Sequence, residues 1–159
     1  MSDLIAELNQ FIGKAGKSTY AGSGPESKPQ RPGFRELEYK EGPWIYRDSY
    51  TGFIRSWGEE VVWRDGKPFW TQIYGGGMEP DYEDPKLADQ TFDFLKKALS
   101  VGEKEKKFQP RGPKKFSDDE YDYVCEWQGD IRNFKGSEKI LYKGKLIFTH
   151  VFFGGIVVA

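Results

Sequence analysis

Trp44-Ile45-Tyr46-Arg47-Asp48-Ser49-Tyr50-Thr51-Gly52 decides how this chain folds, because Tyr121-Asp122-Tyr123-Val124-Cys125-Glu126-Trp127-Gln128-Gly129 follows the same plan 77 residues later. In both stretches the aromatics alternate with polar or β-branched residues, and a Gly closes the run. A period of two belongs to a strand with one face against a core. At an offset of 78, Gly58-x-Glu60 is matched by Gly136-x-Glu138. Gly66-Lys67-x-x-Trp70-Thr71 is likewise matched by Gly144-Lys145-x-x-Phe148-Thr149, and Tyr74 by Phe152. Shared turns and shared alternation predict two similar antiparallel β units, of about four strands each, over residues 36–77 and 116–158.

Within the first unit the strand candidates are 36–40, 43–51, 53–57, 59–65 and 68–75. Asp65-Gly66 between two apolar runs supplies the positive φ angles of a tight hairpin. Upstream, Leu4, Ile5, Leu8, Phe11 and Ile12 recur at helical spacing, so a helix is expected over 3–13, ended by Gly13 and Gly16. Residues 17–35 hold six Gly or Pro and read as a long irregular loop, functional or mobile. A second helix is expected over 85–100, with Asp84 as N-cap, Pro85 as first residue and Gly102 closing it. Residues 103–119, rich in Lys, Glu, Pro and Gly, read as a solvated linker. The fold class that follows is α+β: one domain over residues 1–159, in which the two units merge into one sheet system with both helices packed against it.

Composition narrows the function. The 159 residues carry 24 Lys+Arg against 25 Asp+Glu, without the basic excess of a nucleic-acid surface. One Cys and one His exclude an intramolecular disulfide and Cys- or His-rich zinc sites. Aromatics at 16% argue against disorder. The N-terminus lacks a basic region and an unbroken apolar run, so no signal peptide is read there. The C-terminal apolar stretch 151–159 is too short to span a bilayer as a helix and reads as a buried strand. The expectation is a cytoplasmic protein, with no metal, no cofactor, no membrane and no nucleic acid as partner of this chain alone. A homodimer is allowed for.

The paired units expose the positions that break the apolar rule. Asp48 stands where its counterpart is Cys125. Gln72 lies between Trp70 and Tyr74, whereas its counterpart His150 lies between Phe148 and Phe152. Asp48 reads as a polar anchor for a ligand, as a general base with its pKa raised by burial, or as a carboxylate bonded to a nearby Tyr or Arg. His150 reads as a proton-transfer partner or a satisfied core residue, and Cys125 as an inert buried thiol. Arg31 and Arg35 suit pairing with Glu38 or Asp48, or meeting an anionic ligand at a pocket mouth. Trp44, Trp57, Trp63 and Trp70 could form a stacking platform, or be core. Gly22-x-Gly24 fits neither phosphate-binding nor dinucleotide fingerprints, and Glu59-Glu60 point to opposite faces of a strand, which spoils them as a glycosidase pair.

Thr19-Tyr20-Ala21-Gly22, Arg31-Pro32-Gly33, Glu36-Leu37-Glu38-Tyr39, Tyr46-Arg47-Asp48-Ser49-Tyr50-x-Gly52, Gly58-Glu59-Glu60-x-x-Trp63 and Phe153-Gly154-Gly155 together resemble an uncharacterised prokaryotic domain family of unknown function. The resemblance runs from about residue 9 to 157. It implies a domain found alone or following a helix-turn-helix of the XRE type, and hence, by analogy, a sensor or partner-binding role. This chain has no such helix pair, since its first helix meets a Gly/Pro loop. The leading functional expectation is a small-molecule binding module over an aromatic surface near Asp48, with Tyr50, Trp63 and Tyr20 as walls, Arg35 at the rim and His150 close by. The alternatives are a small enzyme using Asp48 or His150 as base, and a structural or oligomerisation domain marked by an exposed strand edge.

Overall fold

A computed structural model of the chain describes residues 2–22 and 24–158. In chain order the elements are α1 (Ser2–Ser18), β1 (Arg35–Glu41), β2 (Trp44–Gly52), β3 (Arg55–Arg64) and β4 (Lys67–Met78). A single 3-10 turn at Pro80–Tyr82 leads to α2 (Pro85–Ser100), followed by β5 (Lys115–Asp118), β6 (Tyr121–Asp130), β7 (Asn133–Tyr142) and β8 (Lys145–Ile156). The eight strands form one antiparallel sheet in the order β1-β2-β3-β4-β8-β7-β6-β5. Each half is a four-stranded meander, and the last strands of the two halves pair at the centre.

Local chemistry sets this register. Both long hairpins turn on two residues with positive φ, Asp65 at 50° and Gly66 at 76°, and Lys143 at 50° and Gly144 at 76°. Their backbone twist matches that of the flanking strands. Each hairpin slips register once, between Val62 and Trp63 and between Ile140 and Leu141, positions that differ by the same 78 residues. At the centre Tyr74 pairs with Phe152, the residue 78 positions later.

Several boundaries differ from expectation, and β5 lies inside the expected linker 103–119. The candidates 53–57 and 59–65 are one strand, β3, because Gly58 does not break it. Tyr74 lies over Gly58, where any Cβ would collide with its phenol ring. The first helix also continues through Gly13 and Gly16 to Ser18. Gly13 serves close packing: a Cβ there would come within 2.7 Å of the Glu105 backbone nitrogen. Asn9 secures the same contact by donating to the carbonyls of Lys104 (3.0 Å) and Glu105 (3.2 Å).

Both helices cover one sheet face. Leu8, Phe11 and Ala15 of α1 are buried, Phe11 stacking on Trp44 at 5.7 Å. In α2, Asp84 caps the start by accepting from the Leu87 N–H at 2.8 Å, and Phe94 stacks between Phe116 and Tyr121. The opposite face leaves Trp57, Ile73, Val151 and Phe153 exposed. Residues 24–34 run onto that face beside β1, where Ser27 bridges to Glu36. Among the described residues no helix is long and apolar enough to cross a membrane.

Candidate functional site

Antiparallel register lines up inward-facing side chains in rows across the sheet. One row reads Gly52, Ser56, Gly76, His150, Glu138, Cys125. Its pseudo-symmetric counterpart reads Gly129, Phe134, Gly154, Gln72, Glu60, Asp48. Glu60 thus answers to Glu138 and Gln72 to His150, whereas Ser56 stands where the other half has Phe134.

The first row is joined by hydrogen bonds. Glu138 is fully buried. Its Oε1 accepts from Arg111 Nε at 2.9 Å and lies 3.0 Å from His150 Nδ1, and its Oε2 accepts from the Tyr123 hydroxyl at 2.6 Å. Burial works against ionisation, but Arg111, His150 and Tyr123 outweigh it and hold the Glu138 carboxyl down at about 2. Burial keeps the His150 imidazole below its ordinary value despite Glu138. The contact is therefore a hydrogen bond from a neutral ring, with the proton assigned to Nδ1 by its carboxylate partner. That leaves Nε2 as an acceptor, 3.3 Å from the Ser56 hydroxyl. Ser56 and His150 lie on strands separated by β4, and they meet because the residue between them is Gly76.

The second row is a structural mirror with different chemistry. Gln72 Nε2 donates to Glu60 Oε2 at 2.8 Å, and Asp48 Oδ1 accepts from the Tyr74 hydroxyl at 2.7 Å. Burial, and then the charge of Glu60, push the Asp48 carboxyl up to about 7 against the pull of Tyr74 and Arg111. Where Asp48 and Tyr74 form a polar pair, the other half has the apolar equivalents Cys125 and Phe152. Burial likewise pushes the Cys125 thiol up to about 12, so it is inert at neutral pH.

Arg111 serves both rows. It enters from the segment between α2 and β5, where Pro110, Arg111 and Gly112 are buried rather than solvated. Beyond Glu138 it faces Glu60 Oε1 at 3.7 Å, and its guanidinium lies 4.5 Å from the centre of the Tyr74 ring. Two carboxylates sharing one guanidinium is the arrangement that lets charges persist inside a core.

A cavity of about 150 Å³ opens onto this cluster. It reaches the sheet at Ser56, a small residue where Phe134, in the other half, packs against Trp70, Phe108 and Phe152. Its floor is Ser56, Tyr74, Arg111 and His150, and its walls include Tyr20, Tyr50, Phe53 and Phe92. Phe53 stacks on Phe92 at 5.8 Å, and Tyr20 meets Tyr50 edge-on at 6.1 Å. Arg35 and three charged residues of α2, Asp89, Asp93 and Lys96, surround the mouth.

Four of the residues singled out from sequence, Tyr20, Arg35, Tyr50 and His150, line this one cavity. Asp48 sits behind its wall, bonded to Tyr74, which stands between Asp48 and His150. Trp63 is not a wall of this site: it pairs with Ile45 on the opposite sheet face, beside Arg47, Ser49 and Glu59. Arg35 reaches Glu26 at 3.7 Å rather than Asp48, and Glu38 is taken by Arg47 at 2.7 Å. The four Trp form no platform, since Trp44 and Trp70 are core and Trp57 and Trp63 lie on the other face. Ser56, Glu138 and Arg111 went unnoticed in the sequence. The comparison that exposed Asp48 against Cys125 would also have exposed Ser56 against Phe134. Nothing local marks Arg111.

Among the described residues no three potential metal ligands of the His, Cys, Asp and Glu types come together. No curated protein and no solved structure matches the chain. The family model described as "Domain of unknown function (DUF5680)" matches residues 48–157, a span that holds β2 from Asp48 onward and every later element.

Proposed function

The chain belongs to the DUF5680 family of domains of unknown function, and on that premise we propose that it binds a small molecule in the cavity above Ser56 and His150. The observation that carries this reading is the asymmetry of the two halves. The fold fills the Phe134 side with an aromatic ring and leaves the Ser56 side hollow. A hollow in a close-packed interior sacrifices dispersion contacts that a ligand would restore. Its volume of about 150 Å³ resembles that of an engineered cavity known to hold benzene. Aromatic walls suit a flat, largely apolar body. The floor offers the cation of Arg111, which suits a carbonyl or carboxylate entering first, beside the Ser56 hydroxyl and the His150 ring. Arg35 and Lys96 favour a ligand whose trailing end carries negative charge, and Asp89 and Asp93 restrain how much.

Ser56→Phe tests the reading by copying the Phe134 side. The variant is expected to fold and to lose every ligand-induced rise in melting temperature seen with the wild type across a panel of small aromatic acids, esters and amides. A ligand at 100 times its Kd raises stability by about 2.7 kcal/mol, which on a chain of this size is several degrees. Hits that survive Ser56→Phe would place binding elsewhere and overturn the proposal.

A further inference from the structure

We propose that Ser56, His150 and Glu138 form a nucleophilic triad, and that the protein hydrolyses a small ester bound in the cavity. The inference rests on the binding reading above and adds chemistry to it.

Three observations converge. The hydroxyl, imidazole and carboxylate are joined in series, Ser56 Oγ to His150 Nε2 at 3.3 Å and His150 Nδ1 to Glu138 Oε1 at 3.0 Å. That is the nucleophile, base and orienting-group order by which a weak hydroxyl is activated, and the looser first contact is usual before substrate is bound. The carboxylate is itself held by Arg111 and Tyr123, so the ring cannot swing. Finally, Ser56 and His150 both line the cavity, whereas Glu138 lies wholly behind it.

A structural role alone does not account for the pair. The mirror-related row holds Glu60 with Gln72, which makes the same strand-to-strand link without an imidazole. His replaces Gln, and Ser replaces Phe, together and on the hollow side only.

The step is ordinary acyl transfer. Ser56 Oγ attacks the ester carbonyl carbon as its proton passes to His150 Nε2. The tetrahedral oxyanion collapses, the bond to the leaving alkoxide breaks, and His150 returns the proton to that oxygen. Water then attacks the acyl-Ser56 ester as His150 takes its proton; the acyl–oxygen bond breaks, His150 gives that proton to Ser56 Oγ, and a carboxylic acid is released. Arg111, lining the same floor, places positive charge beside the developing oxyanion. Cavity size limits the acyl or alcohol part to roughly the bulk of a single ring.

The test is covalent labelling of the intact protein with a small alkyl fluorophosphonate, which loses fluoride as phosphorus bonds to an activated serine, read by intact mass and peptide mapping. One adduct, on Ser56, is expected. It should be absent in Ser56→Ala and form at least about 100-fold more slowly in His150→Gln. His150→Gln copies the Gln72 arrangement and should fold. p-Nitrophenyl acetate hydrolysis should fall in parallel. An adduct on another residue, or Ser56 labelling indifferent to His150→Gln, overturns the triad. No adduct in a wild type that still shows ligand-induced stabilisation overturns the triad and spares the binding reading. Absence of both labelling and ligand stabilisation overturns both.

Discussion

Arg111→Met is expected to destabilise the fold by about 3–5 kcal/mol, the usual effect of removing one partner from a buried charge pair. Arg111 is 6% exposed and Glu138 is fully buried, so the substitution strands a carboxylate with only His150 and Tyr123 for partners. Met keeps the apolar stem volume, which makes the loss electrostatic rather than a cavity effect. Two further measurements isolate the cause. The wild-type Glu138 pKa of about 2 rises without Arg111, so the loss should be larger at pH 8 than at pH 5. Adding Glu138→Gln to Arg111→Met should recover part of the loss, because Glu60 is then the one carboxylate left without the guanidinium. Urea unfolding of the four proteins completes the cycle. A double variant no more stable than Arg111→Met would mean that Arg111 acts by packing.

The second large effect concerns Asp48. Its folded-state pKa of about 7 lies above the roughly 3.9 of an unfolded Asp. The native state therefore keeps a proton that the unfolded chain has lost, and stability falls as pH rises from about 4 to about 7. Glu60 shares the direction, since burial raises its pKa too, and the two carboxyls repel. Asp48→Asn removes the charge while its Oδ1 still accepts from the Tyr74 hydroxyl. Relative to wild type, the variant should gain stability between about pH 4 and about pH 7 and hold that gain above it, an amount on the order of a few kcal/mol. Glu138 acts oppositely: its depressed pKa gives stability that is present above about 4.5 and lost as pH falls toward 2. The wild type should thus be most stable in mildly acid solution, and Asp48→Asn should move that maximum upward. Parallel pH curves for the two proteins would mean that Asp48 is solvated in the native state.

The site was legible in part, for definable reasons. Tyr50 and His150 were readable because an aromatic and a lone imidazole on an alternating face have few destinations. Trp63 was misplaced because its face depends on the β2–β3 register. Asp48 pairs with Glu60, so the even-numbered residues of β3 up to the bulge share its face and Trp63 does not. Treating β3 as two candidate strands hid that parity. Arg111 was out of reach, since a buried guanidinium in a Pro/Gly-rich segment reads like any exposed one until its carboxylate partners are placed.

What the sequence determined by itself is everything carried by short range: the alternation, the Asp65-Gly66 and Lys143-Gly144 turns and the capped second helix. Those choices depend on φ angles and side-chain faces within a few residues, where composition speaks directly. Only the tertiary structure decided that β4 pairs with β8, which brings Ser56 and Gly76 to His150 across strands 74 residues apart between Gly76 and His150. Backbone hydrogen bonds between distant strands are chemically alike in every register. The choice falls to the core that both helices cover, where Tyr74 must lie over Gly58 and Phe152 over Gly136. That packing, and no local motif, assembles the hydroxyl and the imidazole at one cavity floor with the carboxylate behind them.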